Sequence, residues 1–427
     1  MSAHRLVDDF FRHEYGRLVA RLTREFGAHQ LEELEDAAQS ALMTAVESWP
    51  RTGPPDAPSA WLYRVAHNNA LGALRRDRRH ARLLAQEAVA DPQDPATAGG
   101  HDDDNDLLRM LFVCCDERIP TEGQLVLALK TLCGFSTSEI AHRLLTTEAN
   151  VYKRLTRARD RLRAHVRSTG VLDVSERVMT SRLHAVHDVL YVLFTEGHLS
   201  SHPEVAIRRE LCDEAIRLTT LVAAQRGRAP ETCALLALMH LHAARLAARQ
   251  NAALGLLLLD EQDRAAWDHR QIELGVTWLA ESARGDAMSR YHAEAGIAVE
   301  HCLASSLTET RWDRIVGHYE WLERLAPSPL HTLGRAVAVA EWQGAAAGLA
   351  IAQEIQPTEW LRANYQWHAV LADLHRRCGH LDRANRLGAD AVRLAPNDLT
   401  RVLLARRLQL PREHADGSGA AVRGTGL

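Results

Sequence analysis

The 427-residue chain is predicted to be all-α, on three observations. Apolar residues recur every three or four positions over most of its length, which is the spacing of one helix face. No segment alternates apolar and polar residues over a useful length, as a half-buried strand would. The hydrophobic content of 46% is typical of a globular protein, and the length allows two or three domains.

Residues 134–167 are predicted to form two helices joined by a tight turn. Ser136 and Glu139 have the spacing of a capping box, which places the start of a helix there. The second helix has apolar residues at helical spacing, and these should face inward: Val151, Leu155, Ala158 and Leu162. Either Thr146 or Thr147 can cap this second helix.

The second helix of this pair is strongly basic. From Val151 to Arg167 it carries seven Lys or Arg residues, and Asp160 is its single acid. A solvated helix usually mixes both signs, so this surface is suited to phosphates. A short helix, a tight turn and a basic second helix fit a helix-turn-helix DNA reader. An ordinary helical hairpin with an arginine-rich surface is the alternative interpretation.

Three amphipathic helices are predicted in the first 84 residues, over residues 5–30, 31–49 and 59–79. A loop rich in Pro and Gly, residues 50–59, separates the second helix from the third. The third helix begins apolar and ends in a basic cluster: Arg75, Arg76, Arg78 and Arg79.

The segment 85–106 is predicted to be a flexible linker. It contains seven acids, four Pro or Gly residues and no Lys or Arg. The net charge of −4 therefore hides a strong segregation, with basic blocks on either side of an acidic one. A nucleic-acid partner is implied locally, by the basic helices, and not by the charge of the whole chain.

Residues 175–410 are predicted to form a second large helical unit, followed by a disordered tail over 411–427. Four residues have the relative spacings of the small residues and proline in a tetratricopeptide repeat: Gly379, Ala384, Ala391 and Pro396. The repeat is degenerate, because His375 and Gly388 stand where aromatic residues are usual. We expect a tetratricopeptide-like array, with a generic helical domain as the alternative.

Several function classes are not indicated. The seven cysteines form no CxxC pair, and histidine pairs such as His240 and His242 carry no HExxH pattern. A phosphate-binding loop motif is also missing, so we expect no catalytic residue, no metal site, no cofactor and no enzymatic activity. The charged N-terminus and the lack of an apolar run of about 18 residues predict a cytoplasmic protein without membrane contact.

Three motifs in order along the chain resemble the sigma-70 family, in its extracytoplasmic-function group. They are LEDAAQSALMTAVESW, WLYRVAHNNALGALRR, and GFSTSEIAHRLL followed by EANVYKRLTRARDRLR. Later stretches, among them ALMHLHAARLAAR and LLDEQDRAAWD, resemble a subgroup with a long tetratricopeptide-like extension. The resemblance implies a sigma region 2 domain over 1–84, a region 4 helix-turn-helix over 107–168 and a regulatory helical domain over 175–410.

This resemblance also implies partners and site residues. Core RNA polymerase would be bound through its β′ coiled coil and β flap, with Asp36 and Gln39 at the coiled coil. The acidic linker would thread the RNA channel, and a solvated tether is the alternative interpretation. The −10 promoter element would be read as a single strand by Arg64, Asn68, Arg75, Arg76, Arg78 and Arg79. The −35 element would be read as duplex by Asn150, Lys153, Arg154, Arg157 and Arg159.

The extension is expected to offer a groove to a protein or peptide and to regulate the DNA-binding part in cis. The sigma factor would be nucleoid-associated during initiation. The alternative is a stand-alone helix-turn-helix regulator with a tetratricopeptide-like interaction domain. Such a regulator would not need the first two motifs.

Overall fold

The fold is helical throughout the part of the chain that the structure describes, which confirms the predicted all-α class. In this computed structural model the described residues are 3–85, 103–144, 146–169, 175–200, 206–225, 227–251, 255–285 and 287–408. A short antiparallel pair of strands, β1 (Gln250–Asn251) and β2 (Gly255–Leu256), is the exception, with Gln250 opposite Leu256. The chain divides into two compact units, residues 1–193 and 194–427.

The first unit contains two groups of helices. The first group is α1 (Ala3–Phe26), α2 (Leu31–Thr52) and α3 (Pro58–Ala85). The second group is α4 (Asp103–Cys114), α5 (Thr121–Thr131), α6 (Thr137–Arg143), α7 (Glu148–Thr169), α8 (Glu176–Ser181) and α9 (Leu183–His198), the last of which crosses the division between the units.

Helix α2 is longer than its sequence pattern predicts. It continues through Pro50 to Thr52, and Gly53 ends it with a φ of 77° and an N–H donated to the Trp49 carbonyl at 2.9 Å. That positive φ is open to glycine at little cost. The loop to α3 is therefore shorter than the expected 50–59 segment.

Helix α4 begins inside the expected acidic linker. Asp106 is buried and accepts a hydrogen bond from Arg24 of α1, and Asp104 lies 3.6 Å from Arg17 of the same helix. These two acids are thus partners of basic residues on α1. The rest of the expected linker, residues 86–102, lies outside the described residues, as does the expected tail.

Helices α6 and α7 form the predicted helix-turn-helix. The capping box of Ser136 and Glu139 is present at the start of α6. Thr147 precedes α7, and its hydroxyl accepts a hydrogen bond from the Asn150 N–H at 3.3 Å. The apolar face of α7 is buried as the spacing predicts, at Val151, Leu155, Ala158 and Leu162.

A buried ion pair ties the start of α9 to the helix-turn-helix part of the first unit. Arg182, just before α9, lies 2.5 Å from the Asp116 carboxylate and donates to the Phe112 carbonyl at 3.0 Å. Both charged side chains are buried. Removing the chain from residue 168 onward would take the buried partner away and leave Asp116 with only the exposed guanidinium of Arg118, at 3.4 Å, as a cationic partner among the described residues. Loss of a partner of a buried charge is costly.

The second unit continues with helices that pack on their neighbours in chain order. They are α10 (Arg209–Gln225), α11 (Pro230–Ala243), α12 (His269–Ser282), α13 (Arg290–Leu303), α14 (Trp312–Leu325), α15 (Pro329–Gln343), α16 (Ala345–Glu354), α17 (Glu359–Arg362), α18 (Tyr365–Arg377), α19 (Leu381–Arg393) and α20 (Asp398–Arg407). Gly348 of α16 lies against the backbone of α15, where an added Cβ would be 2.4 Å from the Ala336 carbonyl oxygen.

Residues near the C-terminal end of the second unit contact residues much earlier in the same unit. The Asn397 side chain donates to the Ser200 carbonyl at 3.3 Å, and Arg406 donates to the Leu256 carbonyl at 3.0 Å. The small residues Ala384 and Ala391 of α19 are fully buried. Helices α18 and α19 pack against each other, and the tetratricopeptide-like assignment stays a prediction.

Among the helices in the described ranges, none has the length and apolar character needed to cross a membrane.

Candidate nucleic-acid and polymerase interfaces

Helix α3 presents a polar and basic stripe to solvent. Arg64, Asn68 and Arg75 are exposed and recur at the spacing of one helix face, and Arg76 is exposed beside them. The side chains of Arg78 and Arg79, which the sequence assigns to the same site, lie outside the described residues. The described members of the predicted −10 set therefore share one accessible surface.

Tyr63 and His67 fix this helix against α1. The Tyr63 hydroxyl donates to Glu25 at 2.5 Å, and the His67 ring lies 2.9 Å from the other oxygen of the same carboxylate. The guanidinium of Arg21 stacks 3.4 Å from the centroid of the Tyr63 ring. Burial and the Glu25 carboxylate raise the pKa of Tyr63 to about 12, so the hydroxyl keeps its proton.

The aromatic residues at the α2–α3 junction pack on each other. The rings of Trp49 and Trp61 lie 5.7 Å apart, and both are partly buried. This contact fits the interpretation of both residues as packing aromatics. The loop residues between the helices, from Gly53 to Ala57, are mostly exposed, as capture of an extruded base would need.

Helix α7 has a solvent-facing side opposite its buried one. Asn150, Lys153 and Arg157 are exposed, and at 100° per residue they fall within an arc of about 60°. The side chain of Asn150 also contacts the Thr146 hydroxyl at 3.3 Å. These three residues of the predicted −35 set form one compact polar and cationic face.

The other two residues of that predicted set are engaged within the protein. Arg154 lies 2.6 Å from Glu122 of α5. Arg159 lies about 180° around the helix from Asn150, and its side chain is only 16% exposed. The structure does not bring Arg159 together with the α7 face, and its contact with DNA stays a prediction.

Arg159 instead meets a buried carboxylate of α2. Glu35 is 1% exposed, receives a short hydrogen bond from Arg159, and accepts another from the Thr131 hydroxyl at 2.6 Å. Glu32, one turn earlier, lies 3.6 Å from both Arg159 and Arg163. Helices α2, α5 and α7 therefore converge on one carboxyl group.

The outer side of α2 is a further candidate surface. Asp36 and Gln39 are exposed, as the sequence predicts. The same side carries Met43 and Val46, which are 64% and 50% exposed. Sequence reasoning missed these two, although apolar residues four and seven positions after Gln39 were a readable signal. Exposed apolar residues beside polar ones are typical of a surface that a partner covers.

Comparisons with known proteins bear on these surfaces. A model of sigma-70 region 2 matches residues 11–80, and a model of sigma-70 region 4 matches residues 109–162. A family of unknown function, DUF6596, matches residues 182–283. An uncharacterised protein of Rhizobium meliloti (strain 1021) is 35% identical over 373 residues, which cover 86% of this chain and 87% of that protein. No solved structure matches the chain.

The chain belongs to the sigma-70 family. The two sigma regions and the further C-terminal domain identify it as an extracytoplasmic-function sigma factor with a C-terminal extension. It is a factor for transcription initiation that binds core RNA polymerase and promoter DNA, and its family is non-enzymatic. The region 2 match includes α2 and most of α3, which a stand-alone helix-turn-helix regulator would not need.

In the described ranges, no cluster of three His, Cys, Asp or Glu side chains could hold a metal ion.

Glu35 should give the sigma factor a pH-dependent stability. Burial raises the pKa of Glu35 above its ordinary value, because the dry surroundings disfavour the ionised form more than Arg159 and Thr131 favour it. A carboxyl with a raised native pKa holds its proton more tightly when folded. Its contribution to the free energy of unfolding therefore falls as the pH rises from about 4.3 through the raised pKa.

The substitution Glu35→Gln should abolish this pH dependence, as measured by urea unfolding at a series of pH values between about 4 and 7. Glu47→Gln changes an exposed glutamate of the same helix, and this control should keep the wild-type profile. Parallel stability profiles in the wild type and Glu35→Gln would contradict the prediction.

The apolar part of the α2 surface should contribute to polymerase affinity. We expect Val46→Ser to weaken binding to core RNA polymerase by about tenfold, because a covered valine contributes about 1.5 kcal/mol. Val402→Ser removes an equally exposed valine from the second unit and should leave the affinity unchanged. The measurement is a titration of labelled core enzyme, and equal affinities for both variants would exclude Val46 from the interface.

Proposed function

We propose that this sigma factor directs promoter-specific initiation by reading two elements with two different helices. The exposed face of α3, with Arg64, Asn68 and Arg75, would bind the melted −10 strand. A basic groove suits this task because a single strand is held mainly through its phosphates and unstacked bases. The remaining predicted residues, Arg76, Arg78 and Arg79, extend the same basic end of the helix.

The −35 element would be read in the major groove by the exposed face of α7. Asn and Arg side chains can each make two hydrogen bonds to one base edge, which gives about 1–3 kcal/mol of discrimination. The observation that carries this assignment is the position of Asn150, Lys153 and Arg157 on one solvent-facing arc, opposite the buried side of a helix-turn-helix.

Core polymerase would dock on the outer side of α2 through Asp36, Gln39, Met43 and Val46, with the β′ coiled coil as the partner. The β flap would be the second contact. The segment between α3 and α4 would thread the RNA channel, where its acidic residues would take the place of a nucleic-acid backbone.

The packing of α7 on α2 bears on how these tasks are combined. The elements named −10 and −35 are about 25 base pairs apart, or roughly 85 Å at about 3.4 Å per pair. Glu35 and Arg159 are in direct contact, so the two DNA-reading helices lie much closer together than that. We propose that this arrangement is closed and that region 4 separates from region 2 when the factor binds polymerase and promoter.

The extension is proposed to act in cis on the sigma regions, with a protein or peptide as its ligand. A groove of about 600 Å³ between α12, α13 and α14 supports this, since Met288, Val299 and Trp321 line it. A deletion that tests the extension should begin after Ser200, because Arg182 completes the core of the first unit.

Reconstituted transcription tests the proposed function. The purified chain should confer start-site selection on sigma-free core polymerase, and Arg157→Ala should reduce promoter output. In duplex binding, the loss should be about 1–3 kcal/mol, with the salt slope smaller by about 1. Arg177→Ala removes an exposed arginine from α8 and serves as the control. Wild-type duplex affinity and salt slope in Arg157→Ala would refute the groove assignment.

The closed arrangement can be tested at a residue outside both proposed interfaces. Thr131 is fully buried in α5, and its hydroxyl contacts Glu35. Thr131→Val removes that hydrogen bond while keeping the side-chain volume, so we expect weaker closure and a higher affinity for core polymerase, by about threefold to tenfold.

Thr180→Val is the matched control, because the Thr180 hydroxyl donates to the Glu176 carbonyl of its own helix, α8. A fluorescence distance between α2 and α7 should increase in Thr131→Val and not in Thr180→Val. An unchanged distance together with unchanged polymerase affinity would refute the gating role of this contact.

A further inference from the structure

The second unit contains a cluster of cationic and aromatic nitrogen groups that promoter recognition does not use. Its members come from the end of α11, the turns after it and the end of α13: His242, Arg245, Arg264, Trp267 and His301. Four of them lie in two of the stretches that set this subgroup apart, ALMHLHAARLAAR and LLDEQDRAAWD.

A single indole ring brings the two arginines together. The guanidinium carbon of Arg264 lies 4.6 Å from the centroid of the Trp267 ring, and that of Arg245 lies 5.8 Å from the same centroid. Trp267 is 4% exposed. Arg264 is held in place by two hydrogen bonds of 2.7 Å to the carbonyls of His301 and Ala304.

Hydrogen-bonding atoms in this cluster are left without partners. The Nε of Arg245, the Nη2 of Arg264 and the indole Nε1 of Trp267 are buried and bond to no other group in the described ranges. The Nδ1 atoms of His242 and His301 are in the same condition. Buried donors without partners are costly, so native structures rarely keep several of them close together.

No carboxylate of the described residues balances these charges. Other arginines of the unit do have acidic partners, such as Arg406 with Glu261 at 2.7 Å and Arg407 with Asp260 at 3.0 Å. Arg245 and Arg264 form no such ion pair within the described ranges. A group of positive charge and unused donors, with no acid to satisfy it, is arranged to receive an anion from outside.

We propose that this cluster binds a small dianion of the phosphate class. Two guanidinium groups supply two positive charges and the forked donors that match phosphate oxygens. The indole N–H adds a donor without adding charge. The bound group would connect the end of α11, the following turn and the end of α13.

The protonation state of the histidines agrees with a charge of two. Burial, together with Arg245 and Arg264, lowers the pKa of His301 to about 3, and burial and neighbouring arginines lower the pKa of His242 well below its ordinary value. Both rings are therefore neutral at pH 7, and each can donate one hydrogen bond. Phosphate carries a charge between about −1.5 and −2 near that pH.

Calorimetric titration of the full-length chain with inorganic phosphate, in phosphate-free buffer at constant ionic strength, tests the proposal. We expect saturable binding, a higher melting temperature in phosphate, and an affinity at least about tenfold lower in Arg245→Gln. Arg284→Gln is the control, because Arg284 is exposed in the same unit and, among the described residues, forms its ion pair with Glu281. It should bind phosphate as the wild type does.

A second variant tests the same site in case Arg245→Gln fails to fold. Trp267→Phe keeps an aromatic ring beside the arginines and removes the N–H donor together with the second ring of the indole. It should weaken phosphate binding by about threefold to tenfold while still unfolding cooperatively without phosphate. Trp342→Phe, at an exposed tryptophan of the same unit, should have no effect. Phosphate bound to the basic helices of the first unit would be insensitive to Arg245→Gln, and that result would overturn the proposal.

The source of the phosphoryl group is resolved by comparing ligands. Binding of phenyl phosphate without inorganic phosphate would support the site and identify an organic phosphomonoester as its ligand. Binding of succinate alone, or no binding of any of the three compounds at 10 mM, about the weakest affinity the titration detects, would overturn it. None of these outcomes depends on promoter recognition, so the proposed function is tested separately.

Discussion

Glu35 is a carboxylate buried between two helical modules, and the packing of the first unit depends on how its charge is compensated. Arg159 supplies a positive charge and Thr131 a hydroxyl donor, each from a different helix. Since an uncompensated buried charge is far more costly than a lost surface ion pair, the helices α2, α5 and α7 are held in one arrangement. Gly16 reinforces it, because an added Cβ there would lie 2.2 Å from the Leu132 carbonyl oxygen.

Because of this packing, one side of α7 faces its own chain and the opposite side faces solvent. Arg159 and Arg163 face α2 and its neighbouring backbone, while Asn150, Lys153 and Arg157 face solvent. A basic helix of this kind can therefore contact acids of its own chain and phosphates of DNA through different sides. The same logic applies to α2, whose inner side carries Glu35 and whose outer side carries Asp36, Gln39 and two exposed apolar residues.

The second unit shows a different balance of forces. Helices pack on their neighbours through small residues, and the contact between Asn397 and Ser200 joins the two ends of the unit. The chemistry that stands out lies between these helices, where Arg245 and Arg264 both lie near the Trp267 ring and have no acidic partner among the residues that the structure describes. These three residues belong to the segment matched by the family of unknown function. A ligand bound there would therefore let the extension respond to the concentration of that ligand.

The sequence alone determined the all-α class, the helix-turn-helix with its capping box, and the solvent-facing residues of α2, α3 and α7, because helical periodicity and local capping depend on neighbouring residues. The exposed Met43 and Val46 could have been read from the same periodicity. Tertiary structure alone decided the partner of Arg159, the role of Arg182 and the meeting of Arg245 with Arg264. These pairs join residues far apart in the chain, and a helical pattern says which side a residue faces but not which other helix lies there.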